Sequence, residues 1–267
     1  VRFRRAMSVA IDRDQINEVA YFGQGKPLQY TGFSPLPDFM PAELESEFAQ
    51  YDPDMANAML DEVGLADTDG DGFRELPNGD KLVLNLQFAT QGAPGELAQL
   101  VAQNWIDVGV ETTVKEVTPD EYRSAQSSNQ LDVMIWRKGQ PLALHLGDNT
   151  YFVPPFDGYF DIRTGMLWAE YIESGGSAGV EPPAWVDEMI ADVNAFQSAP
   201  IGSPEQEALA TKLATKMVEE MLFIGTVLAP SPLTHSNKLQ NVTQFKTTSY
   251  EYYRTFPYLP VQWWLDE

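Results

Sequence analysis

The sequence predicts an α/β fold in which helices flank a mixed sheet. Large apolar residues occupy every second position over 82–88, namely Leu82, Leu84, Leu86 and Phe88, which is the spacing of a strand that is buried on one face. Strand and helix patterns then follow one another up to residue 136, in the order strand, helix, strand, helix, strand. This order predicts a sheet that is at least partly parallel, with right-handed crossovers. A chain of 267 residues, 43% of them hydrophobic, is long enough to bury a substantial core.

Two consecutive helices open the chain. Apolar residues recur at helical spacing over 3–11 and predict one buried face, whereas the arginines of this stretch fall elsewhere. Asp12 then begins a second helix, with Gln15 placed to complete a capping box and Gly23 to end it. Because no strand precedes the first helix, we expect a further part of the protein in front of it.

Later helices and strands are marked by caps, glycines and periodicity. Asp52 and Pro53 predict a helix start, because an N-cap aspartate is followed by proline at the first helical position, and Gly64 predicts its end. The remaining predicted elements are a helix over 97–109, a strand over 110–114, a short helix over 119–125, a strand over 131–136, helices over 164–174, 183–197 and 204–221, and a buried strand over 223–227.

The composition excludes several classes of function. The formal net charge of −22 comes from 39 acidic and 17 basic residues, a balance that repels nucleic acid and anionic lipid, so we expect no nucleic-acid partner. The absence of cysteine excludes disulfides, thiol nucleophiles, cysteine-zinc sites and iron–sulfur clusters. The sequence contains no phosphate-binding glycine loop, nucleophile elbow or His-Glu-x-x-His motif, and we expect no cofactor.

An acidic turn follows the helix that begins at Pro53. Asp67, Asp69 and Asp71, with Gly72, resemble the first half of a calcium-binding loop. The twelfth position of that motif is Asn78 here, not the bidentate glutamate that the motif requires. An Asp- and Gly-rich β-turn without metal explains the same residues, and we favour it over calcium.

Residues 137–163 form an aromatic segment that is much longer than an ordinary connection. Long loops of this kind carry function or contact another domain. Aromatic faces suit sugar rings and peptide side chains alike, but the same rings could pack against the local core or an absent lobe. The aromatic residues in question are Tyr151, Phe152, Phe156, Tyr159 and Phe160.

Five segments stand in order along the chain: VRFRRAMSVAIDRDQI, YDPDMANAMLDEVGL, DTDGDGFRELPNGDKLVLNL, AQNWIDVGVETTVKEV and LDVMIW. Together they resemble the bacterial extracytoplasmic solute-binding proteins of family 5, the peptide, oligosaccharide and nickel receptors of ABC transporters. The likeness lies in that family's arginine-rich helix, Tyr-Asp-Pro helix, Asp-Gly-Asp-Gly hairpin and helix-to-strand step. The later segments GMLWAEYIESGGSAGVEPPAWV and IGTVLAPSPLTHSNKLQNV resemble a branch of the same family.

The resemblance implies the C-terminal lobe of a type II periplasmic-binding-protein-like fold. Residues 1–240 would form the ligand-binding lobe, and residues 241–267 a tail that returns to a missing N-terminal lobe. It further implies a substrate-binding subunit of an ABC importer, without enzymatic activity and located in the periplasm or otherwise outside the cytoplasm. Such a subunit captures an oligopeptide-like solute by closure of two lobes and delivers it to the permease. The alternatives are an oligosaccharide receptor of the same family, an acidic secreted hydrolase and a purely structural interaction domain.

The resemblance also places ligand contacts after the LDVMIW strand. Trp136 ends that strand, where it could stack on a solute or cap the sheet, and Arg137 could bind a carboxylate or form a surface ion pair. Peptide-binding relatives carry an aspartate after this strand for the peptide amino group, whereas Arg137 and Lys138 follow here. The predicted ligand-binding residues are Trp136, Arg137, Asp148, Tyr151 and Phe152, with no catalytic residue and no metal ligand.

Overall fold

The structure, a computed structural model, describes residues 1–137, 151–156, 163–230, 234–242 and 260–266. Its helices are α1 (Arg2–Val9), α2 (Arg13–Tyr21), α3 (Pro53–Glu62), α4 (Gly95–Ile106), α5 (Pro119–Ser127), α6 (Met166–Glu173), α7 (Ala184–Ser198) and α8 (Pro204–Glu219). Its strands are β1 (Lys26–Pro27), β2 (Val83–Phe88), β3 (Glu111–Glu116), β4 (Val133–Ile135), β5 (Val227–Leu228), β6 (Leu239–Gln240) and β7 (Trp264–Leu265). Short 3-10 helices span Ala42–Glu45 and Pro260–Gln262.

The largest sheet of the described residues has three parallel strands in the order β3-β2-β4. In the middle of β2, Leu86 is opposite Val114 of β3 and Val133 of β4. α4 connects β2 to β3 and α5 connects β3 to β4, so both connections are helical crossovers between parallel strands. Two antiparallel pairs, β1-β5 and β6-β7, lie outside this sheet. The predicted α/β fold is confirmed, but the described parallel and antiparallel strands stand in separate sheets and not in the one mixed sheet that was predicted.

A first core lies between this sheet and helices α1 to α4. Leu86 from the centre of the sheet is fully buried in it. The indole Nε1 of Trp105 in α4 donates to the carbonyl of Met7 in α1 at 2.9 Å, which satisfies the one polar atom of that buried ring. The main-chain amide of Asp12 donates to Asn104 Oδ1 at 2.9 Å, and this contact fixes the start of α2 on α4.

The predicted helix starts at Asp12 and Asp52 are confirmed. The side chain of Asp12 accepts from the amide of Gln15 at 2.9 Å, and that of Asp52 from the amide of Met55 at 2.8 Å. These bonds satisfy amides that have no partner within the helix. The Asp12 amide bonds to Asn104, so the reciprocal half of the predicted capping box is taken by a distant residue.

A second core is made mainly by helices α6, α7 and α8. It takes in residues 151–156 and the segment around Phe33. Phe156 is fully buried at its centre, with its ring stacked on Trp185 at 6.0 Å and edge-on to Trp168 at 6.4 Å. This half of the molecule is therefore helical and rich in aromatic contacts.

Three arginines tie the first two helices to the end of α8 and to the segment that follows it. Arg4 and Arg5 of α1 donate to the carbonyls of residues 219–221 at the end of α8. Arg13 is only 2% exposed and donates to the carbonyls of Ser8, Ala49 and Gly225. The sequence pattern placed these arginines away from the apolar face of the first helix. The structure gives the reason, since their guanidinium groups donate to main-chain carbonyls at and after the end of α8.

The predicted strand over 223–227 is wrong in extent. The observed strand β5 has two residues, and it pairs antiparallel with β1, which the sequence did not predict. Upstream of β5, the amide of Gly225 donates to Gln29 Oε1 and its carbonyl accepts from Arg13 Nε. Side chains therefore hold the main-chain groups that a longer strand would have used for a ladder.

Near the C-terminus, β6 pairs with β7, so residues on both sides of the predicted boundary at 240 contact each other. The division into a lobe and a returning tail stays a prediction. Among the helices of the described ranges, none combines the length and the apolar character that crossing a bilayer would need.

Candidate functional site

The candidate site lies at the carboxyl edge of the three-stranded parallel sheet. Each strand there is followed by a buried apolar residue: Ala89 after β2, Val117 after β3 and Trp136 after β4. These three residues form one small cluster with Tyr122 of α5, and we name this cluster the plug. The plug closes the end of the sheet with apolar side chains.

Above the plug stands a set of exposed polar residues. The next residue along each strand is exposed, and the three are Thr90, Thr118 and Arg137. Gln91, the following residue of the β2–α4 loop, is exposed as well. We name these four residues the rim. Because the strands are parallel, the rim residues come from three separate segments to one edge, the place where open α/β sheets bind their ligands.

The rim offers hydrogen-bond donors and acceptors of several kinds. Arg137 carries a planar guanidinium that can bind a carboxylate or a pair of hydroxyls through two donors. The Oγ1 atom of Thr118 accepts from the amide of Glu121 at 3.2 Å and keeps its hydroxyl proton to donate. α4 and α5 both begin at this edge, and the positive ends of their dipoles favour oxygen-rich or negatively charged groups. None of the four rim residues is acidic.

Trp136, predicted to contact ligand, lies inside the plug. It is 9% exposed, and its ring centroid is 5.0 Å from that of Tyr122, with the planes tilted by 41°. The sequence left open whether this residue stacks on a solute or caps the sheet, and its burial matches the capping position. Direct contact with a solute stays a prediction.

The other predicted contacts are placed in different surroundings. Arg137 is exposed at the rim, next to Trp136. Asp148 lies outside the described residues, as do Tyr159 and Phe160. Tyr151 and Phe152 lie in the second core, with 6% and 2% of their surfaces exposed.

Phe152 packs tightly on its neighbours in that core. Its ring centroid is 5.5 Å from that of Phe33, and a Cβ on Gly32 would be 3.1 Å from its Cε1 atom. The sequence offered two explanations for the aromatic segment, ligand contact and packing on the local core, and the surroundings of Phe152 and Phe156 match the second. Ligand contact by Tyr151 and Phe152 stays a prediction.

The acidic turn is built by hydrogen bonds between its carboxylates and its own main chain. Asp67 accepts from the amides of Gly70 and Gly72, and Asp71 accepts from the amide of Phe73 at 2.9 Å and from Lys81 Nζ at 2.8 Å. The hydrogen bond from Lys81 lowers the pKa of Asp71 below its ordinary value. The segment thus forms the expected Asp- and Gly-rich turn, and the preference for a turn without calcium stays a prediction.

Glu75 joins this cluster although the sequence did not single it out. Its carboxylate is buried and accepts from the amide and the hydroxyl of Thr68, both at 2.6 Å. Side-chain oxygens of Asp67, Asp69, Asp71 and Glu75 lie within 4.8 Å of one another. Glu75 stands at the ninth position of the calcium motif, which is one of its ligand positions. Only the twelfth position was tested from the sequence, and Glu75 was therefore missed.

Sequence reasoning also missed Thr90, Gln91 and Thr118 as residues of the candidate site. The signal that could have found them is their register. Thr90 is the second residue after the strand predicted over 82–88, and Thr118 lies immediately before the helix predicted to begin at residue 119. In a parallel sheet such positions share one edge.

The comparisons with known proteins bear on the whole fold. The family model of bacterial extracellular solute-binding proteins, family 5 Middle, matches residues 1–153, which is more than half of the chain. The chain belongs to this family. The resemblance drawn from the five sequence segments is thus confirmed, and so is the predicted location outside the cytoplasm, since family 5 consists of extracellular binding proteins.

One curated relative and two solved structures show how much of a family 5 protein is present. The chain is 23% identical over 250 residues to the periplasmic alpha-galactoside-binding protein of Rhizobium meliloti (strain 1021), and the match covers 90% of the chain and 34% of that relative. It is similar to the oligopeptide-binding protein OppA with a TM-score of 0.72 and 25% identity, over 100% of the chain and 43% of OppA. The periplasmic binding protein MelB from Agrobacterium fabrum C58, solved in complex with stachyose, matches with a TM-score of 0.64 and 20% identity, over 85% of the chain and 33% of MelB.

These structures confirm the type II periplasmic-binding-protein fold, and the family and its neighbours are binding proteins. The chain spans less than half of the length of the relatives it matches.

Proposed function

We propose that this chain is the C-terminal lobe of the substrate-binding subunit of an ABC importer and holds one side of a solute. The observation that carries the proposal is the rim, because three parallel strands place exposed polar residues at one sheet edge in a chain of family 5. An open edge of this kind offers a surface with one wall, so the opposite wall would come from the N-terminal lobe of the same protein.

The partners follow from that architecture. Closure of two lobes would enclose the solute, and the closed form would be presented to the membrane permease. The chain would bind without converting its solute, which the binding proteins among its neighbours support. Both the absent lobe and the permease are part of the proposal.

An oligopeptide is the first candidate solute. OppA, an oligopeptide-binding protein by name, is similar to the chain over its full length. Arg137 offers a two-donor partner for a peptide carboxylate, and the positive helix ends at the same edge favour the same group. In this proposal Asp148 would supply the acidic partner of the peptide amino group.

An oligosaccharide is the second candidate. The curated relative is named for alpha-galactosides, and MelB is solved with stachyose. The two hydroxyls, the amide and the guanidinium of the rim suit sugar hydroxyls, and no rim residue is a carboxylate that would hold an amino group.

Titration calorimetry on the full-length receptor separates these candidates. The ligands are the nonapeptide bradykinin, the same peptide acetylated at its N-terminus, and stachyose. For a peptide receptor we expect bradykinin to bind, to raise the melting temperature, and to bind more weakly once acetylated. Binding of stachyose alone would replace the first candidate by the second.

The proposal of a two-lobed receptor has its own control. The 267-residue chain alone should bind the same ligand far more weakly than the full-length receptor, because one wall of the site is absent. Equal affinity of the chain and the receptor would refute it, as would turnover of the bound ligand.

A further inference from the structure

Gly92 lies where the β2–α4 loop meets Trp136, the first residue after β4. The loop spans residues 89–94 and carries two rim residues, Thr90 and Gln91. A Cβ atom built on Gly92 would collide with the Cδ2 and Cε3 atoms of Trp136. Carbon atoms in favourable contact are about 3.5–4.0 Å apart. The indole therefore lies directly on the main chain at residue 92, in a space that any side chain there would fill.

The backbone gives no other reason for a glycine at this position. Its φ angle is outside the left-handed region, which is the conformation that requires glycine elsewhere in the chain. Gly92 is buried, and its amide donates to the carbonyl of Ala89 at 2.7 Å. Ala93 donates to the same carbonyl at 3.1 Å, so the loop is a tight turn on a plug residue. Contact with Trp136 is what the missing side chain permits.

The indole is held from a second element as well. Tyr122 of α5 packs against it at a centroid distance of 5.0 Å. Trp136 is thus fixed between the β2–α4 loop and α5, and the next residue along its strand is Arg137 of the rim. A shift of the indole would displace Arg137, which is the next residue along the chain. It would also displace Thr90 and Gln91, because the loop that carries them packs on the indole.

We propose that Gly92 is a positioning residue for the solute-binding edge. Its lack of a side chain lets Trp136 clamp the β2–α4 loop to the end of β4, and the clamp sets the spacing between Thr90 and Arg137. This inference rests on the proposed function, because it assigns the rim to the solute. Gly92 acts on the solute only through Trp136 and the loop.

The test compares three variants of the full-length receptor. Gly92→Ala introduces the clash, and Gly92→Ala combined with Trp136→Phe removes the larger ring that meets it. Gly95→Ala is the matched control, since a Cβ there would be 3.6 Å from Cζ of Phe88, an ordinary contact three residues along the same chain segment. Trp136→Phe alone provides the reference for the double variant.

Two readouts are recorded on each protein. Labelling with 5-fluorotryptophan gives separate ¹⁹F resonances for the tryptophans, and the signal that disappears in Trp136→Phe identifies that of Trp136. Its shift between H₂O and D₂O reports the exposure of the indole. Dissociation constants for bradykinin and stachyose report the geometry of the rim.

We expect Gly92→Ala to move the Trp136 resonance and to raise its solvent-isotope shift. It should also weaken binding of whichever probe the wild type binds by about tenfold, because displaced rim residues no longer align with the solute. Gly95→Ala should leave the resonance and the affinity unchanged. The double variant should bind as tightly as Trp136→Phe alone. A merely structural role of Gly92 would lower the melting temperature and leave the dissociation constant of the folded protein as it was.

An unmoved Trp136 resonance in Gly92→Ala overturns the inference, as does a moved resonance with unchanged affinity. If Gly92→Ala does not fold, the double variant should fold, and its failure to do so also overturns the inference. A wild-type receptor that binds neither probe contradicts the proposed function instead, whereas the resonances still decide whether Gly92 holds Trp136.

Discussion

The two halves of the molecule use aromatic residues in different surroundings. In the sheet half, Trp136 and Tyr122 lie in a plug directly beneath exposed polar residues. In the helical half, Phe152 and Phe156 are enclosed by other apolar side chains of the second core. The contrast teaches that aromatic rings pack in both halves, and that only the register of the parallel strands brings exposed polar residues to one edge.

The largest expected effects test whether the halves are separate. Phe156→Ala removes the ring at the centre of the second core, and Leu86→Ala does the same in the first; each should lower the free energy of unfolding by about 2–5 kcal/mol. The control is Ile201→Ala, at a residue 83% exposed, which should stay within about 0.5 kcal/mol. Urea unfolding followed by circular dichroism measures all three.

We expect both core variants to shift one common transition, because Arg4 and Arg5 bond α1 of the first core to the end of α8 of the second. Two transitions, of which Phe156→Ala shifts only one, would show that the two halves unfold independently, as separate domains do.

The second largest effect concerns that junction. Arg13→Met should lower the free energy of unfolding by about 1–3 kcal/mol, because the half-buried carbonyls of Ala49 and Gly225 and the carbonyl of Ser8 each lose a charged donor. Arg13→Lys should lose less of the free energy of unfolding than Arg13→Met but should not reach the wild type, because an ammonium lacks the planar fork of donors. Arg2→Met is the matched control at an exposed arginine that pairs with Glu62. Equal stabilities of the Arg13→Met and Arg2→Met proteins would contradict the role given to Arg13.

A third prediction addresses solute contact in the two halves directly. Arg137→Ala should weaken solute binding by the full-length receptor about tenfold and leave stability within about 0.5 kcal/mol. Phe152→Leu should do the opposite, lowering stability by on the order of 1 kcal/mol while affinity stays the same. Calorimetric titration and thermal unfolding give both quantities. If Phe152→Leu weakens binding and spares stability, the aromatic segment contacts the solute as the sequence first suggested.

The smallest effect is at the acidic turn and depends on pH. Because the hydrogen bonds from Lys81 and the amide of Phe73 lower the pKa of Asp71 in the folded protein, its contribution to stability is present above the unfolded pKa of 3.8 and is lost as the pH falls through the lower, folded value. Asp71→Asn should therefore melt below the wild type at pH 7, and the gap should close in acid. The exposed Asp38→Asn variant serves for comparison. A gap that is the same at both pH values would show that the charge of Asp71 is irrelevant.

Local chemistry explains most of what the sequence predicted. Asp12 and Asp52 bond to amides only three residues ahead, and the alternation over 82–88 follows from one strand facing one core. Such features need no knowledge of the rest of the chain. The order of strands and helices then sufficed for the parallel sheet.

Interactions between distant residues explain what was missed. Arg13 and Gly225 are 212 residues apart, and no periodicity predicts that one will bond to the other. The same holds for Gly92 and Trp136, which meet only because β2 and β4 are neighbours in the sheet. For the candidate site, the end of β4 was predicted to within one residue from its pattern, whereas Thr90 and Thr118 required the strand order.

The arginine junction has a consequence for behaviour in concentrated salt. Dissolved ions screen the attraction and repulsion between exposed charges. The carboxylates of this chain, whose net charge is −22, therefore repel one another less at high ionic strength. The guanidinium of Arg13 is buried and bonds to neutral carbonyls, where counterions have little access. Added salt should therefore weaken the repulsion between surface carboxylates, while the hydrogen bonds of Arg13 stay as strong as they are in dilute buffer.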